Sequence, residues 1–110
     1  MPRDTNPAGD IFGGWLMSQM DLAAGTVATR RARGRAATVA VAAMEFHRPV
    51  HVGDEVSLYG EIVSTGRTSM RIAVRAYRRA RTGEDRELVT EAIFVYVALD
   101  EHGKARTLPA

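Results

Sequence analysis

The feature that most limits how this chain can fold is one apolar stretch with helical spacing, from residue 13 to about residue 33. Its apolar side chains recur at intervals of four, three and four residues, which places them on one helix face: Leu16, Met20, Ala23 and Val27. Much of the remaining circumference is apolar too, so the helix is predicted to be buried nearly all round. Twenty residues of helix span roughly 30 Å, and the rest of the fold must cover that length.

Every segment after the predicted helix has the character of a β-strand. Four strands are predicted, at residues 37–48, 56–65, 69–79 and 88–99. Short turns join them, which favours antiparallel neighbours. Strands of ten to twelve residues extend about 33 to 40 Å, long enough to curl round the helix. The predicted fold is therefore α+β, with a long central helix wrapped by a curved antiparallel sheet.

Turn-forming residues and charges mark the ends of the predicted helix. Residues 1–10 are rich in turn residues and are interpreted as a loop, with Asp10 as a candidate N-cap. Gly13 and Gly14 are predicted to open the helix. Arginines fill its last turn, where cations offset the helix dipole, and Gly34 follows as a C-cap glycine.

The composition excludes several classes of function. The chain of 110 residues suits one domain, contains no cysteine and carries a net charge of +2, too small to indicate a nucleic-acid partner. It has no apolar run long enough to span a membrane and no secretory h-region, so a soluble cytoplasmic protein without a membrane partner is expected. His47 and His51 straddle Pro49, and the sequence indicates neither a metal site nor a cofactor.

One carboxylate, Asp21, interrupts the apolar stretch. Its neighbours one turn away are Met17 and Ala24, with Ala28 beyond, and no basic residue lies within one helical turn. A carboxylate left unpaired in such surroundings costs several kcal/mol or takes up a proton. Asp21 is therefore either a boundary residue that reaches solvent or a partner's amides, or a catalytic base or nucleophile whose reactivity depends on poor solvation.

Two other short motifs allow both a structural and a functional interpretation. The pair Gly13-Gly14 either lets another segment pack closely or exposes the free N–H groups of a helix start to a substrate oxygen. The stretch "GRTSM" either forms a simple hairpin or offers Arg67, Thr68 and Ser69 to a phosphate. The arginines that follow at even spacing form one stripe, most often a solvated face: Arg71, Arg75 and Arg79.

Four stretches together resemble a known family: "DTNPAGDIFGGWLMSQMD", "FHRPVHVGDEVSLYG", "GRTSM" and "EAIFVYVALDEHGKART". They are similar, in unbroken order over nearly the whole chain, to the hotdog-fold acyl-CoA thioesterases of the bacterial YciA type. The resemblance implies a single hotdog domain over residues 1–110 that hydrolyses acyl-CoA to a free acid and coenzyme A. Family members usually have one more strand, at a sheet edge, before the loop at which this chain starts.

The resemblance also implies roles for individual residues. Asp21 would be the catalytic carboxylate, the N–H of Gly14 the oxyanion donor, and Asp10 a polar residue that assists them. The phosphates of coenzyme A would be held by three residues of the turn after the second strand: Arg67, Thr68 and Ser69. A hotdog enzyme of this kind needs no bound cofactor.

The spacing of the two aspartates indicates an oligomer. Asp10 and Asp21 are eleven residues apart, about 16 Å along a helix, so they cannot act on one bond within one chain. Two antiparallel helices related by a two-fold axis can bring them together. The resemblance implies sites at dimer interfaces, in a homodimer that assembles into a hexamer of three dimers or a tetramer. Two alternatives stay open: a hotdog hydratase-dehydratase and a non-catalytic acyl-CoA-binding protein.

Overall fold

A computed structural model describes the backbone of residues 7–51, 53–80, 83 and 85–110, and the side chains of these ranges from residue 13 onward. One helix precedes four strands: α1 (Pro7–Ala32), β1 (Ala36–Phe46), β2 (Glu55–Thr65), β3 (Ser69–Arg79) and β4 (Glu87–Ala98). The predicted order of elements is confirmed, and each strand boundary lies within two residues of its prediction. Within the described ranges, no helix has both the length and the apolar character needed to cross a membrane.

The four strands form one antiparallel sheet in the order β1-β4-β3-β2. The prediction that successive strands are neighbours is wrong at one place, because β1 and β2 lie at opposite edges of the sheet. The two central positions go to β3 and β4, whose alternate side chains are buried against the helix. A central strand has a neighbouring strand along both edges. Placing β4, the most apolar strand, at a central position therefore removes more apolar surface from water than an edge position would.

The core lies between one face of the sheet and one stripe of α1. Side chains spaced four residues apart along the helix are buried: Leu16, Met20, Ala24, Ala28 and Ala32. They pack on alternate residues of the two central strands: Ile72, Val74, Phe94 and Tyr96. Alanines allow the helix axis to lie close to the sheet. Gly60 of β2 serves the same purpose, since a Cβ there would stand 3.4 Å from a methyl group of Val27.

The prediction that the helix is buried nearly all round is wrong for the single chain. Trp15 is 45% exposed, Met17 42% and Leu22 66%. One sheet covers only one side of a helix, so within the described residues these side chains are only partly covered. The edge strand β1 adds Val39 and Val41, which are exposed as well. A second surface can cover these exposed apolar side chains, and Met17 and Val41 already line one cavity.

The helix begins six residues earlier than the sequence predicts, at Pro7. Proline suits the first position of a helix, because its missing N–H would have no intrahelical partner there. Consequently Gly13 and Gly14 lie in the second turn, and the prediction that they open the helix is wrong. Asp10 lies in the first turn of the helix and is not its N-cap, so residues 7–10 do not form a loop.

The C-terminal end of α1 is closed by a residue other than the predicted glycine. Arg33 takes the left-handed conformation, with φ of 56°, and the N–H of Gly34 donates to the carbonyl of Thr29 at 3.2 Å. The guanidinium of Arg106 donates to the carbonyl of Ala32 at 2.7 Å. A Cβ on Gly34 would stand 2.9 Å from that guanidinium, so the glycine leaves room for the Arg106 side chain.

We expect Arg106→Ala to lower the free energy of unfolding by about 1–3 kcal/mol. The substitution leaves two part-buried carbonyl groups, those of Ala32 and Leu99, without their hydrogen-bond donor. Each kcal/mol lowers the melting temperature of a domain this small by about 4–8 °C. Thermal denaturation followed by circular dichroism measures the change. Lys104→Ala, in the same C-terminal segment but exposed, is the control. Equal melting temperatures for the two variants would contradict the capping role of Arg106.

Candidate active site

Asp21 lies near the middle of α1, partly exposed, on the side of the helix that faces β1 and β4. Thr38 donates its hydroxyl proton to Oδ1 of Asp21 at 2.8 Å. The Tyr96 hydroxyl lies 2.5 Å from the same Oδ1 and 2.7 Å from the backbone oxygen of Asp21. Among the residues whose side chains are described, no donor reaches Oδ2. The carboxylate is therefore fixed by one oxygen and open at the other.

The register of the sheet brings the two donors to one point. Thr38 of β1 and Tyr96 of β4 are cross-strand partners, so their side chains leave the same face of the sheet. Gly25 follows Asp21 by one helical turn, and a Cβ there would stand 3.2 Å from the Tyr96 hydroxyl oxygen. A glycine inside a helix costs roughly 1 kcal/mol relative to alanine. In return, Gly25 gives Tyr96 access to the carboxylate.

Tyr96 is a stable donor because its environment disfavours the phenolate. The side chain lies in the core and the residue is only 4% exposed. Burial above all, followed by the hydrogen bond to Asp21, raises the pKa of the hydroxyl from 10.0 to about 12. Tyr96 therefore keeps its proton at neutral pH and orients Asp21 without taking a proton from a substrate itself.

Asp21 and Thr38 stand between two cavities that follow the helix. One, of about 300 Å³, is mostly apolar, and its other lining residues are Gly14, Met17, Ser18, Val41 and Phe94. The second, of about 390 Å³, is lined on its far side by hydroxyl-bearing and small residues, among them Thr26, Thr29 and Ala36. Each volume falls in the lower range of ligand pockets. The arrangement suits a ligand that has one apolar and one polar part, with a reactive group between them.

The structure places two of the three predicted catalytic residues around one cavity. Gly14 and Asp21 both line the apolar cavity, and a Cβ on Gly14 would meet no heavy atom within 4 Å. A ligand can therefore approach the backbone of Gly14 closely. Asp10 shares the helix with Asp21, but its side chain lies outside the described residues.

The predicted phosphate-binding turn lies at one end of the sheet, away from Asp21. The N–H of Leu108 donates to the carbonyl of Arg67 at 2.9 Å, and the N–H of Ala98 donates to that of Thr68 at 3.0 Å. Ala98 pairs with Ala36, which lines the second cavity. Neither cavity beside Asp21 has Arg67, Thr68 or Ser69 in its described lining. The turn thus has a firmly held backbone near the far end of the hydroxyl-lined cavity.

The arginines of β3 and of the turn before it divide into members with and without an ion pair. Arg75 lies 3.3 Å from Glu61, and Arg79 contacts Glu55. Within the described ranges, Arg67 and Arg71 form no ion pair, and Arg67 is exposed. The ion-paired arginines agree with the interpretation of the stripe as a solvated face, whereas Arg67 remains available to an anion.

Sequence reasoning missed three residues that shape the site: Thr38, Tyr96 and Gly25. Thr38 and Tyr96 are 17 and 75 residues from Asp21 in the chain, so no local spacing connects them with it. Tyr96 itself was one available signal. A tyrosine within a strongly apolar strand is expected to be buried, and its hydroxyl then needs a hydrogen-bond partner. A glycine in the interior of a helix was a second signal that a neighbour comes close.

Known proteins resemble the chain over nearly its full length. It is 49% identical to the acyl-CoA thioester hydrolase YciA of Escherichia coli K12, over 99% of this chain and 85% of that protein. The structure matches the hexameric thioesterase y2039 of Yersinia pestis with a TM-score of 0.87 and 48% identity, covering 100% of this chain and 89% of that one. It matches HI0827, described as a hexameric broad-specificity acyl-coenzyme A thioesterase, with a TM-score of 0.85 and 46% identity, covering 100% and 76%.

A family model described as the thioesterase superfamily matches residues 8–84, which include the helix, Asp21, Thr38 and the turn at Arg67. Solved structures of the same shape include a hexameric hotdog-fold thioesterase of Campylobacter jejuni, with a TM-score of 0.84 and 37% identity over 99% of this chain and 84% of that one. The family and the hotdog fold predicted from the sequence motifs are thereby confirmed. The chain belongs to the thioesterase superfamily and has its hotdog fold.

Proposed function

We propose that this chain hydrolyses acyl-CoA thioesters to a free acid and coenzyme A, with Asp21 as the catalytic carboxylate. One observation carries the proposal: Oδ1 of Asp21 is held by Thr38 and Tyr96, while Oδ2 is open between two cavities. A carboxylate oriented by fixed donors loses little entropy when it meets a bound substrate. The names of the relatives, acyl-CoA thioester hydrolase and acyl-CoA thioesterase, support the same reaction.

Two routes are open to Asp21, and both balance. As a general base, Oδ2 takes a proton from water; the hydroxide adds to the thioester carbonyl, the carbon–sulfur bond breaks, and coenzyme A leaves as a thiol after protonation. As a nucleophile, Oδ2 adds to the carbonyl, the carbon–sulfur bond breaks, and coenzyme A leaves as a thiolate that takes up a proton; water then hydrolyses the mixed anhydride to the free acid and the Asp21 carboxylate. In both routes Tyr96 and Thr38 keep the reactive oxygen in place. Neither donor gives up its proton.

The substrate is proposed to lie along the helix and across Asp21. Its acyl chain would enter the apolar cavity lined by Met17, Val41 and Phe94. Its polar arm would follow the hydroxyl-lined cavity towards the turn at Arg67, where the guanidinium and backbone groups suit the phosphates of coenzyme A. This path puts the thioester carbonyl between an apolar and a polar environment, next to the free carboxylate oxygen. A cytoplasmic location fits a substrate of this kind.

Gly14 and Asp10 are proposed to complete the site from the opposite side of the thioester. Gly14 lies seven residues from Asp21, about 10 Å along the helix, and Asp10 lies about 16 Å from it. A two-fold axis that runs two such helices antiparallel brings the first turns of one helix to the middle of the other. Gly14 has no side chain, so a substrate oxyanion can approach its N–H and share it with the helical acceptor one turn earlier.

The apolar surface of the single chain supports this assembly. Trp15, Met17 and Leu22 are exposed on the helix, beside Val39 and Val41 on the edge strand. We propose that residues 1–110 form one thioesterase domain that pairs with a second copy over this surface. A dimer that assembles further into a hexamer is supported by the hexameric relatives. A hydratase-dehydratase and a non-catalytic acyl-CoA-binding protein are the alternatives, and release of thiol from acyl-CoA distinguishes both from a hydrolase.

We expect Asp21→Asn to lower kcat by about 10²–10⁴, because general-base catalysis contributes a factor of that size. The amide keeps the shape of the side chain and can still accept from Tyr96, so coenzyme A binding should be retained. Thiol release from a panel of acyl-CoA thioesters of different chain length measures turnover. Calorimetry with free coenzyme A measures binding.

Asp54→Asn is the matched control for the same chemical change. Asp54 accepts from Arg78 and lies outside both cavities, so its substitution should affect stability but leave kcat near wild type. Tyr96→Phe tests orientation: it removes one of the two donors to Oδ1, and we expect a smaller loss of kcat than for Asp21→Asn. An Asp21→Asn variant that turns over like wild type would refute the assignment of Asp21.

We expect Arg67→Ala to raise KM for acyl-CoA more than it lowers kcat, since a contact to a remote phosphate acts equally in the ground state and the transition state. The same variant should hardly change the hydrolysis of a truncated thioester that lacks the nucleotide. Arg75→Ala, an arginine of the following strand β3 that is paired with Glu61, is the control and should alter neither constant. Equal losses on both substrates would mean that Arg67 acts on the structure instead.

We expect mixed oligomers to recover activity if Asp10 and Asp21 come from different chains. Asp10→Ala and Asp21→Ala are made separately and then co-expressed. In a mixed dimer one site carries both substitutions and the other carries neither, so random mixing leaves about a quarter of all sites intact under two-fold symmetry. Activity should rise towards a quarter of wild type. Mass spectrometry verifies that mixed dimers form, and activity that stays at the mean of the two homodimers would exclude a shared site.

A further inference from the structure

The face of the sheet that points away from the helix carries a cluster of ionisable side chains, which the proposed reaction does not use. Glu45 and Glu91 are cross-strand partners on β1 and β4, and Arg75 is the partner of Glu91 on β3. His47 follows just after the end of β1, two residues beyond Glu45. Since side chains two residues apart on an extended chain point the same way, His47 joins the cluster.

The distances in this cluster are those of potential metal ligands. Nε2 of His47 lies 2.9 Å from Oε2 of Glu91, with which it forms a hydrogen bond, and 3.9 Å from Oε1 of Glu45. One donor atom from each of the three side chains lies within 4.8 Å of the others. Ligands about 2.0–2.1 Å from a tetrahedral zinc ion are about 3.3–3.4 Å apart, and the two histidine distances lie on either side of that value.

Charge and space at the cluster also favour a cation. Two carboxylates directly opposite each other on neighbouring strands repel. Within the described ranges the nearest permanent cation is Arg75, which is 3.9 Å from Glu91 and is shared with Glu61 at 3.3 Å. A cavity of about 160 Å³ opens beside the two carboxylates, and its lining includes Glu45, Glu91 and the small residue Ala43. It provides room for the water that completes the shell of a three-ligand metal ion.

We propose that Glu45, His47 and Glu91 bind one divalent transition-metal ion of the zinc class on the outer face of the sheet. The donor set of one imidazole and two carboxylates suits Zn²⁺ rather than Ca²⁺ or Mg²⁺, which prefer oxygen alone. The site is independent of Asp21, which lies on the opposite face of the sheet. Its ion would tie the edge strand β1 to β4 and stabilise the folded chain.

Isothermal titration of the chelator-treated, tag-free protein with ZnCl₂ near pH 7.5 tests the site. We expect one Zn²⁺ per chain and a higher melting temperature in its presence. His47→Ala and Glu91→Gln should each weaken binding by at least about tenfold, since each removes one of three ligands. Co²⁺ in place of Zn²⁺ should give the visible absorption of a four-coordinate ion, which disappears in both variants.

Two further variants make the result specific. His102→Ala removes an exposed histidine that lies 3.6 Å from Glu101 and has no third ligand among the described residues, and the variant should bind Zn²⁺ like wild type. Arg75→Met removes the competing cation and should tighten binding several-fold at low salt. If wild type binds no Zn²⁺, or if His47→Ala and Glu91→Gln bind it as well as wild type does, the proposal is overturned. Circular dichroism verifies that each variant is folded.

Discussion

The hydrogen bonds from Tyr96 and Thr38 to Asp21 connect the middle of the helix to the sheet, and the proposed chemistry depends on them. They require three elements to be in register: α1, β1 and β4. The tyrosine is buried, so its hydroxyl must have a partner, and Asp21 satisfies that need. The same bond fixes which carboxylate oxygen stays open to a ligand. Stability and reactivity are therefore coupled at one residue.

Close packing of the helix makes this arrangement possible. Alanines form most of the buried stripe, and Gly25 and Gly60 stand where a Cβ would come within 3.2 Å of the Tyr96 hydroxyl and 3.4 Å of a Val27 methyl group, respectively. A larger residue at Gly25 would displace the Tyr96 hydroxyl before it disturbed the rest of the core. The two cavities beside Asp21 follow from the same geometry, because the helix is held close to the sheet along one stripe only.

The two faces of the sheet have different physical characters. The inner face buries the helix and presents Asp21 beside an exposed apolar surface, which suits a site shared between chains. The outer face carries arginines, glutamates and a histidine that pair mainly with one another. Substrate chemistry, which needs partial exclusion of water, is accordingly proposed for the inner face, and ion binding for the outer one.

Much of the fold could be predicted from the sequence, because local periodicity reports which residues share a face. The alternation on β3 correctly separates Met70, Ile72 and Val74 from the arginines. The predictions failed where interacting residues are distant in the chain. They also failed where the same residue types suit both a loop and the first turn of a helix. The Gly13-Gly14 pair did not locate the start of the helix at Pro7, whereas Gly34 did mark its end at Ala32, although Arg33 and not the glycine takes the left-handed conformation.

The sequence by itself determined the helix, the four strands, their alternating faces and Asp21 as a carboxylate out of place in an apolar stretch. Its motifs also identified the family. Only the tertiary structure decided the strand order, the pairing of Thr38 and Tyr96 with Asp21, and the outer cluster of Glu45, His47 and Glu91. The physical reason is that the spacing of residues along the chain shows which face of its helix or strand each side chain occupies. Contacts between elements depend instead on which strands become neighbours when the core packs.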